Sequence, residues 1–144
     1  MIAKKVQHGG RTILENKWAT LWYHPAAKIV HHEIHQPIVK EPFRELLTKG
    51  AELFEERHAD KWLSDDRGNT ALHPDDAKWA IEEWSPRVIE AGWKYWAIVM
   101  PDAALGKLNM KRFIVMYRDL GVEVDVFGAP EEALAWLKSR VSAQ

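Results

Sequence analysis

The chain of 144 residues has no cysteine, no long hydrophobic run and almost no net charge. Without cysteine it can form no disulfide, thiol nucleophile or thiolate metal site. The longest apolar run, YWAIVM at 95–100, falls far short of the about 20 residues a helix needs to cross a bilayer, so no membrane span is expected. A formal charge of −1 offers no basic face, which sets nucleic acid aside as a partner. Nothing at the N-terminus resembles a signal peptide, and a cytoplasmic location is expected. No repeat, low-complexity stretch or linker interrupts the chain. Its length fits one domain over 1–144, with residues 1–10 expected to be flexible.

Apolar and aromatic side chains are plentiful: hydrophobic residues make up 47% and there are eight tryptophans. That is enough to fill one sizeable core, with indole rings at its contacts. The first third reads as strands at 11–16, 18–24 and 28–35, rich in branched and aromatic residues. Pro25, Ala26 and Ala27 make a turn that pairs the last two as a hairpin. The period then becomes helical over 42–57, where Phe43, Leu46, Leu47, Leu53 and Phe54 form a stripe. KWLS at 61–64 is a short strand, and Pro74 with Asp75 and Asp76 opens a second helix. Pro86 should kink that helix or restart it with Ser85 as cap. KYWAIVMP at 94–101 has the continuous apolarity of a central parallel strand. Asn109 is expected to cap a following helix, VEVDVF to form a half-buried strand and Pro130 to open a last helix. This order defines an α/β protein: a mostly parallel sheet with an N-terminal antiparallel hairpin, flanked by about four helices.

A strand hairpin followed by alternating helices and strands, together with KWLSDDRG, AGWKYWAIVMP and VFGAPEEALAWLKS, resembles the bacterial STAS and SEC14-type domains often called SpoIIAA-like. The resemblance spans roughly residues 12–140, within a subgroup marked by WLSDDR. It implies a non-catalytic regulatory or protein-interaction module, not an enzyme, with no cofactor. In better-known members a serine at the strand-to-helix junction, within Asp-Ser-Ser/Thr-Gly, is phosphorylated and controls partner binding. The matching junction here is Ser64-Asp65-Asp66-Arg67-Gly68, with Ser64 ahead of the acidic pair. The lipid-transfer proteins of related fold are much longer chains, so a deep lipid pocket is not expected.

Two segments carry candidate sites. The first is the loop Ser64, Asp65, Asp66, Arg67 and Gly68, at a strand end where open α/β sheets bind ligands. Its structural reading has an aspartate capping loop N–H groups and pairing with Arg67 or Arg87, and Gly68 taking positive φ. The second is HHEIH, where His31, Glu33 and His35 share one strand face. With an even-numbered hairpin loop, Trp22 stands opposite His31, Thr20 opposite Glu33 and Trp18 opposite His35. That face is expected to pack a helix or a second protomer, giving a homodimer through Trp18, Trp22, His31, Glu33 and His35. The rival reading is a small-ligand or metal-binding protein, even a minor enzyme, using His31, Glu33 and His35 or the acidic loop. Alternate strand residues lie about 6.5–7 Å apart, which opposes convergence of those three on one ion. The remaining tryptophans, Trp79, Trp84, Trp93, Trp96 and Trp136, are expected in or near the core.

Overall fold

Side-chain alternation along each strand sorts the apolar residues onto two faces, and both faces are covered. The computed structural model describes residues 8–142. Its strands are β1 (Arg11–Glu15), β2 (Ala19–His24), β3 (Ile29–Ile34), β4 (Lys61–Asp65), β5 (Tyr95–Val99) and β6 (Glu123–Phe127), in the sheet order β1-β2-β3-β4-β5-β6. The first three are antiparallel and β3 to β6 are parallel. Between them run α1 (Lys40–Arg57), α2 (Pro74–Trp79), α3 (Ser85–Glu90) and α4 (Ala104–Asp119), and α5 (Pro130–Ser139) follows β6. The fold is thus the α/β arrangement expected, with four helical rods if α2 and α3 count as one.

Strand order explains the layers. Each parallel connection steps the sheet in the same direction, so right-handed crossovers put their helices on one face. There Leu21, Val30, Trp62, Trp96 and Ile98 meet Leu46, Phe54, Trp84, Val88, Met110 and Tyr117. The α5 helix is not a crossover and covers the other face, where Ile29, Leu63, Ala97 and Val99 meet Ala133, Leu134 and Leu137. Strand β5 is central among the parallel strands and buried from both sides, as its apolar run requires.

Two local features depart from the sequence-based expectation, and two others lie beyond it. The α2–α3 rod does not restart at Pro86 with Ser85 as its cap: the π-helical turn Ala80–Trp84 links the two segments, and Ser85 is helical at φ −60° and ψ −44°. Pro86 cannot donate to a carbonyl one turn back, and the widened turn absorbs the missing bond while Ser85 N–H and Oγ–H both donate to Ala80 O. Asn109 lies inside α4, where its Oδ1 accepts the Leu72 N–H at 3.3 Å. The α1 helix starts at Lys40 without a side-chain cap on Val39. Its cap is tertiary: the fully buried Asp76 accepts from Lys40 N at 2.7 Å and Arg44 Nε at 3.1 Å. Finally, of the 1–10 segment expected to be flexible, residues 1–7 lie outside the described residues, and 8–10 pack on β2. A Cβ on Gly10 would come within 3.0 Å of both the Trp22 Cβ and the His24 Nε2.

The core is built around Trp62. Its ring stacks on Phe54 at 5.7 Å, meets Trp84 edge-on at 5.2 Å and lies against Gly50 of α1. A Cβ at residue 50 would sit 2.1 Å from Trp62 Cη2. Alanine is the better helix former by about 1 kcal/mol, but here the rigid, buried indole decides the sign. Gly50→Ala is expected to lower the unfolding free energy by about 1–3 kcal/mol, read from urea denaturation followed by far-UV circular dichroism. An unchanged midpoint would mean that α1 is free to lift from the sheet.

Candidate functional site

Of the five buried indoles among the described residues, four find an acceptor, and those partners draw the site. Trp84 Nε1 donates to Leu47 O at 2.8 Å and Trp93 Nε1 to Tyr95 O at 3.1 Å. Trp62 Nε1 donates to His32 Nδ1 at 2.9 Å, and Trp96 Nε1 to Ser64 Oγ at 2.8 Å. An indole N–H can only donate, so His32 Nδ1 is the acceptor and the ring proton sits on Nε2, which donates to Asp66 Oδ1 at 2.7 Å. His32 and Ser64 are partners in the parallel β3–β4 register, which places both on the same face.

Above them is a cavity of about 80 Å³. Its floor is β3 to β5, with His32, Ser64, Trp62 and Trp96; its walls come from α1 (Phe43, Leu46), the π turn (Ala80, Trp84) and α4 (Met110, Phe113, Tyr117). The loop after β4 closes one end with Asp66, Asn69 and Thr70. Two polar atoms there have capacity to spare. Among the described residues no acceptor takes the Ser64 hydroxyl proton, and no donor reaches Asp66 Oδ2. Both nitrogens of His32 are engaged, and Ser64 is hydrogen-bonded to an indole rather than to a base. The nucleophile and base pairing that acyl transfer needs is therefore not formed among these groups.

The five loop residues separate into an inner and an outer set. Ser64 is 4% exposed and opens into the cavity, so a kinase meets no surface hydroxyl at the position where the resemblance puts a switch. Asp65 is buried against Arg67, which grips it with Nε at 2.9 Å and Nη2 at 2.8 Å. Arg87 is not part of this loop; it pairs with Glu55 at 2.7 Å. The Gly68 backbone is not at positive φ. Glycine is needed there because a Cβ would stand 2.3 Å from Ile34 O, where the loop crosses the end of β3.

The hairpin register is the one expected, with Trp22 opposite His31 and Thr20 opposite Glu33, and His35 N–H donates to Trp18 O at 2.7 Å. Its face is not open, however. Trp22 and His31 are 7% and 3% exposed, leaving Trp18, Glu33 and His35 at the rim. Nor do His31, Glu33 and His35 converge: His35 Nε2 bonds Thr20 Oγ1 at 2.7 Å, while its Nδ1 is 3.8 Å from Glu33. His31 turns instead to His24, its Nδ1 3.1 Å from His24 Nε2, and His8 packs on both rings.

Sequence reasoning passed over His32, His24 and His8. The first two follow from alternation once the register is known, because His32 must face opposite to His31. Nothing in the local pattern marks His8, which precedes the first strand. Comparison of the chain with family models, with curated proteins and with solved structures finds no match in any of the three.

Burial lowers the pKa of His24 to about 4 and also lowers those of His31 and His8 from the ordinary 6.5. The neighbouring imidazoles add to this effect at His24 and His31. From α5, Lys138 lowers both His8 and His24, and Glu131 raises His8. The unfolded chain then takes up protons first as pH falls, so the stability these groups allow is full above about pH 6.5 and is lost toward pH 4. Chelator-treated protein is expected to melt several degrees lower at pH 5 than at pH 7.5, and His24→Gln to flatten that dependence. Equal melting temperatures at the two pH values would show that the rings protonate in place.

Proposed function

We propose that this chain is a non-catalytic regulatory module that takes up a small, largely apolar molecule in the cavity between β3–β5, α1 and α4. The carrying observation is an aromatic-walled cavity that ends on an uncommitted hydroxyl donor, Ser64, and an uncommitted acceptor, Asp66 Oδ2. Binding sites are typically apolar with a few placed polar groups, and lie beyond the carboxyl ends of parallel strands. At about 80 Å³ the space is roughly half the 150 Å³ that holds benzene in an engineered core. Its occupant is accordingly smaller than a benzene ring, a short branched chain with a single polar group. The resemblance to SpoIIAA-like domains supports the regulatory half of the reading. So does the loop itself, since Ser64 and Asp66 line the cavity while the exposed Arg67 between Asp66 and Gly68 faces solvent, where a protein partner can read it. The engagement of both His32 nitrogens supports binding over catalysis.

2-Propanol and 2-chloropropane test this directly, because they share a branched three-carbon skeleton and differ by a hydroxyl in place of chlorine. In saturation-transfer NMR, 2-propanol is expected to bind about tenfold more tightly than 2-chloropropane, the difference one good hydrogen bond makes. Ser64→Val should abolish that preference, and Ala80→Leu, which fills the wall, should weaken both probes. Circular dichroism checks that each variant is folded. A ratio of the two affinities unchanged in Ser64→Val, or no transfer to either probe, sinks the proposal.

A further inference from the structure

On the sheet face opposite the cavity, beyond the reach of the proposed ligand, three imidazoles from three places in the chain meet. His24 ends β2, His31 lies in β3, and His8 comes from the segment before β1. One nitrogen from each lies within 4.8 Å of the other two. His24 Nε2 and His31 Nδ1 are 3.1 Å apart, close to the roughly 3.3 Å edge of a tetrahedron with zinc–nitrogen bonds of about 2.05 Å. His8 stands 5.0 Å from His24 and 4.8 Å from His31, ring centre to ring centre. Burial keeps all three rings neutral at pH 7, with lone pairs available. Trp22 packs on His8 and His31 at 4.7 Å each, and its buried Nε1 has no acceptor among the described residues. An unused donor therefore stands beside the cluster.

We propose that His8, His24 and His31 bind a zinc ion and thereby clamp the segment preceding β1 to strands β2 and β3. Three imidazoles with no carboxylate or thiolate select a late first-row cation over magnesium or calcium, which require oxygen ligands. Tetrahedral preference then selects zinc, with one position left for a small exogenous ligand that the Trp22 N–H can serve. Ligation gives up two contacts: the His24–His31 hydrogen bond and the one from Gly10 N–H to His8 Nδ1 at 3.1 Å. The first goes because whichever of the two nitrogens carries the shared proton passes it to its ring's other nitrogen, leaving both lone pairs for the ion. The second goes because ligation through the free Nε2 of His8 moves the ring proton to Nδ1. Two neutral hydrogen bonds are a small loss beside three metal–nitrogen bonds. From α5, Lys138 opposes the cation and Glu131 favours it.

The test uses untagged, chelator-treated full-length protein titrated with zinc chloride by calorimetry, with cobalt as a spectroscopic stand-in. One zinc per chain is expected, together with the visible bands of tetrahedral cobalt. His8→Gln and His24→Gln should each weaken zinc by more than about 100-fold, since loss of even an outer partner costs 10–100-fold. The exposed His35→Ala should bind as the parent does. His8 is only partly buried, so His8→Gln decides the matter should the His24 variant fail to fold. Undiminished zinc affinity in His8→Gln, loss of binding in His35→Ala, or no binding by the folded parent overturns the proposal and leaves the three rings as an aromatic packing cluster.

Discussion

The placement of Trp62 governs the rest of the molecule. Its ring is 1% exposed, held between Gly50 and Phe54 of α1 on one side and Trp84 and Trp93 on the other. An indole buried this deeply must spend its N–H on an acceptor, and the acceptor is His32. That one bond fixes which nitrogen of His32 carries the proton, and so directs Nε2–H at Asp66, the residue that shapes the loop after β4. A packing requirement in the core is thereby transmitted as hydrogen-bond direction to the rim of the cavity. Trp96 repeats the device one strand over, engaging Ser64 and leaving the hydroxyl proton as a free donor.

The sheet divides labour between its faces. Monotonic strand order stacks three crossover rods on one side, where bulky rings cannot close-pack completely and a cavity remains. The other side receives only α5, which packs on β4 to β6, while over β2 and β3 the cover comes from His8 and Gly10. Polar side chains pointing into that second face are only partly satisfied: Trp22 Nε1 is buried without an acceptor among the described residues, while others find partners. Lys61, 1% exposed, gives its Nζ to Asp60 at 3.1 Å and to Ala27 O at 2.9 Å. The histidines satisfy one another.

Most of the architecture was legible in hydrophobic period. The stripe over 42–57, the apolar run at 95–100 and the alternation of 122–127 each identify an element, because burial of one face leaves a local imprint on the residues that share it. The hairpin register was legible too, since an even loop pairs Trp22 with His31. What local pattern could not supply were partners far along the chain. Asp76 caps a helix that begins 36 residues earlier, Leu72 occupies the side chain of Asn109, and Gly68 is dictated by a carbonyl of β3. Ser85 looked like a cap because Pro86 follows it. A π turn resolves the same conflict with Ser85 kept inside the helix, where its Oγ stands 2.7 Å from the Tyr117 hydroxyl.

By itself the sequence determined the number, kind and order of the elements, the parallel core strand and the absence of any cysteine chemistry, all of which follow from residue type and short-range period. Only the tertiary structure decided the chemistry of each polar side chain. It turned Ser64 inward, paired His32 with Asp66, and gathered His8, His24 and His31 while leaving Glu33 and His35 at the rim. The physical reason is that a hydrogen bond or a ligand set depends on distances of a few ångströms between residues far apart in sequence. Hydrophobic period records only which side of an element is dry.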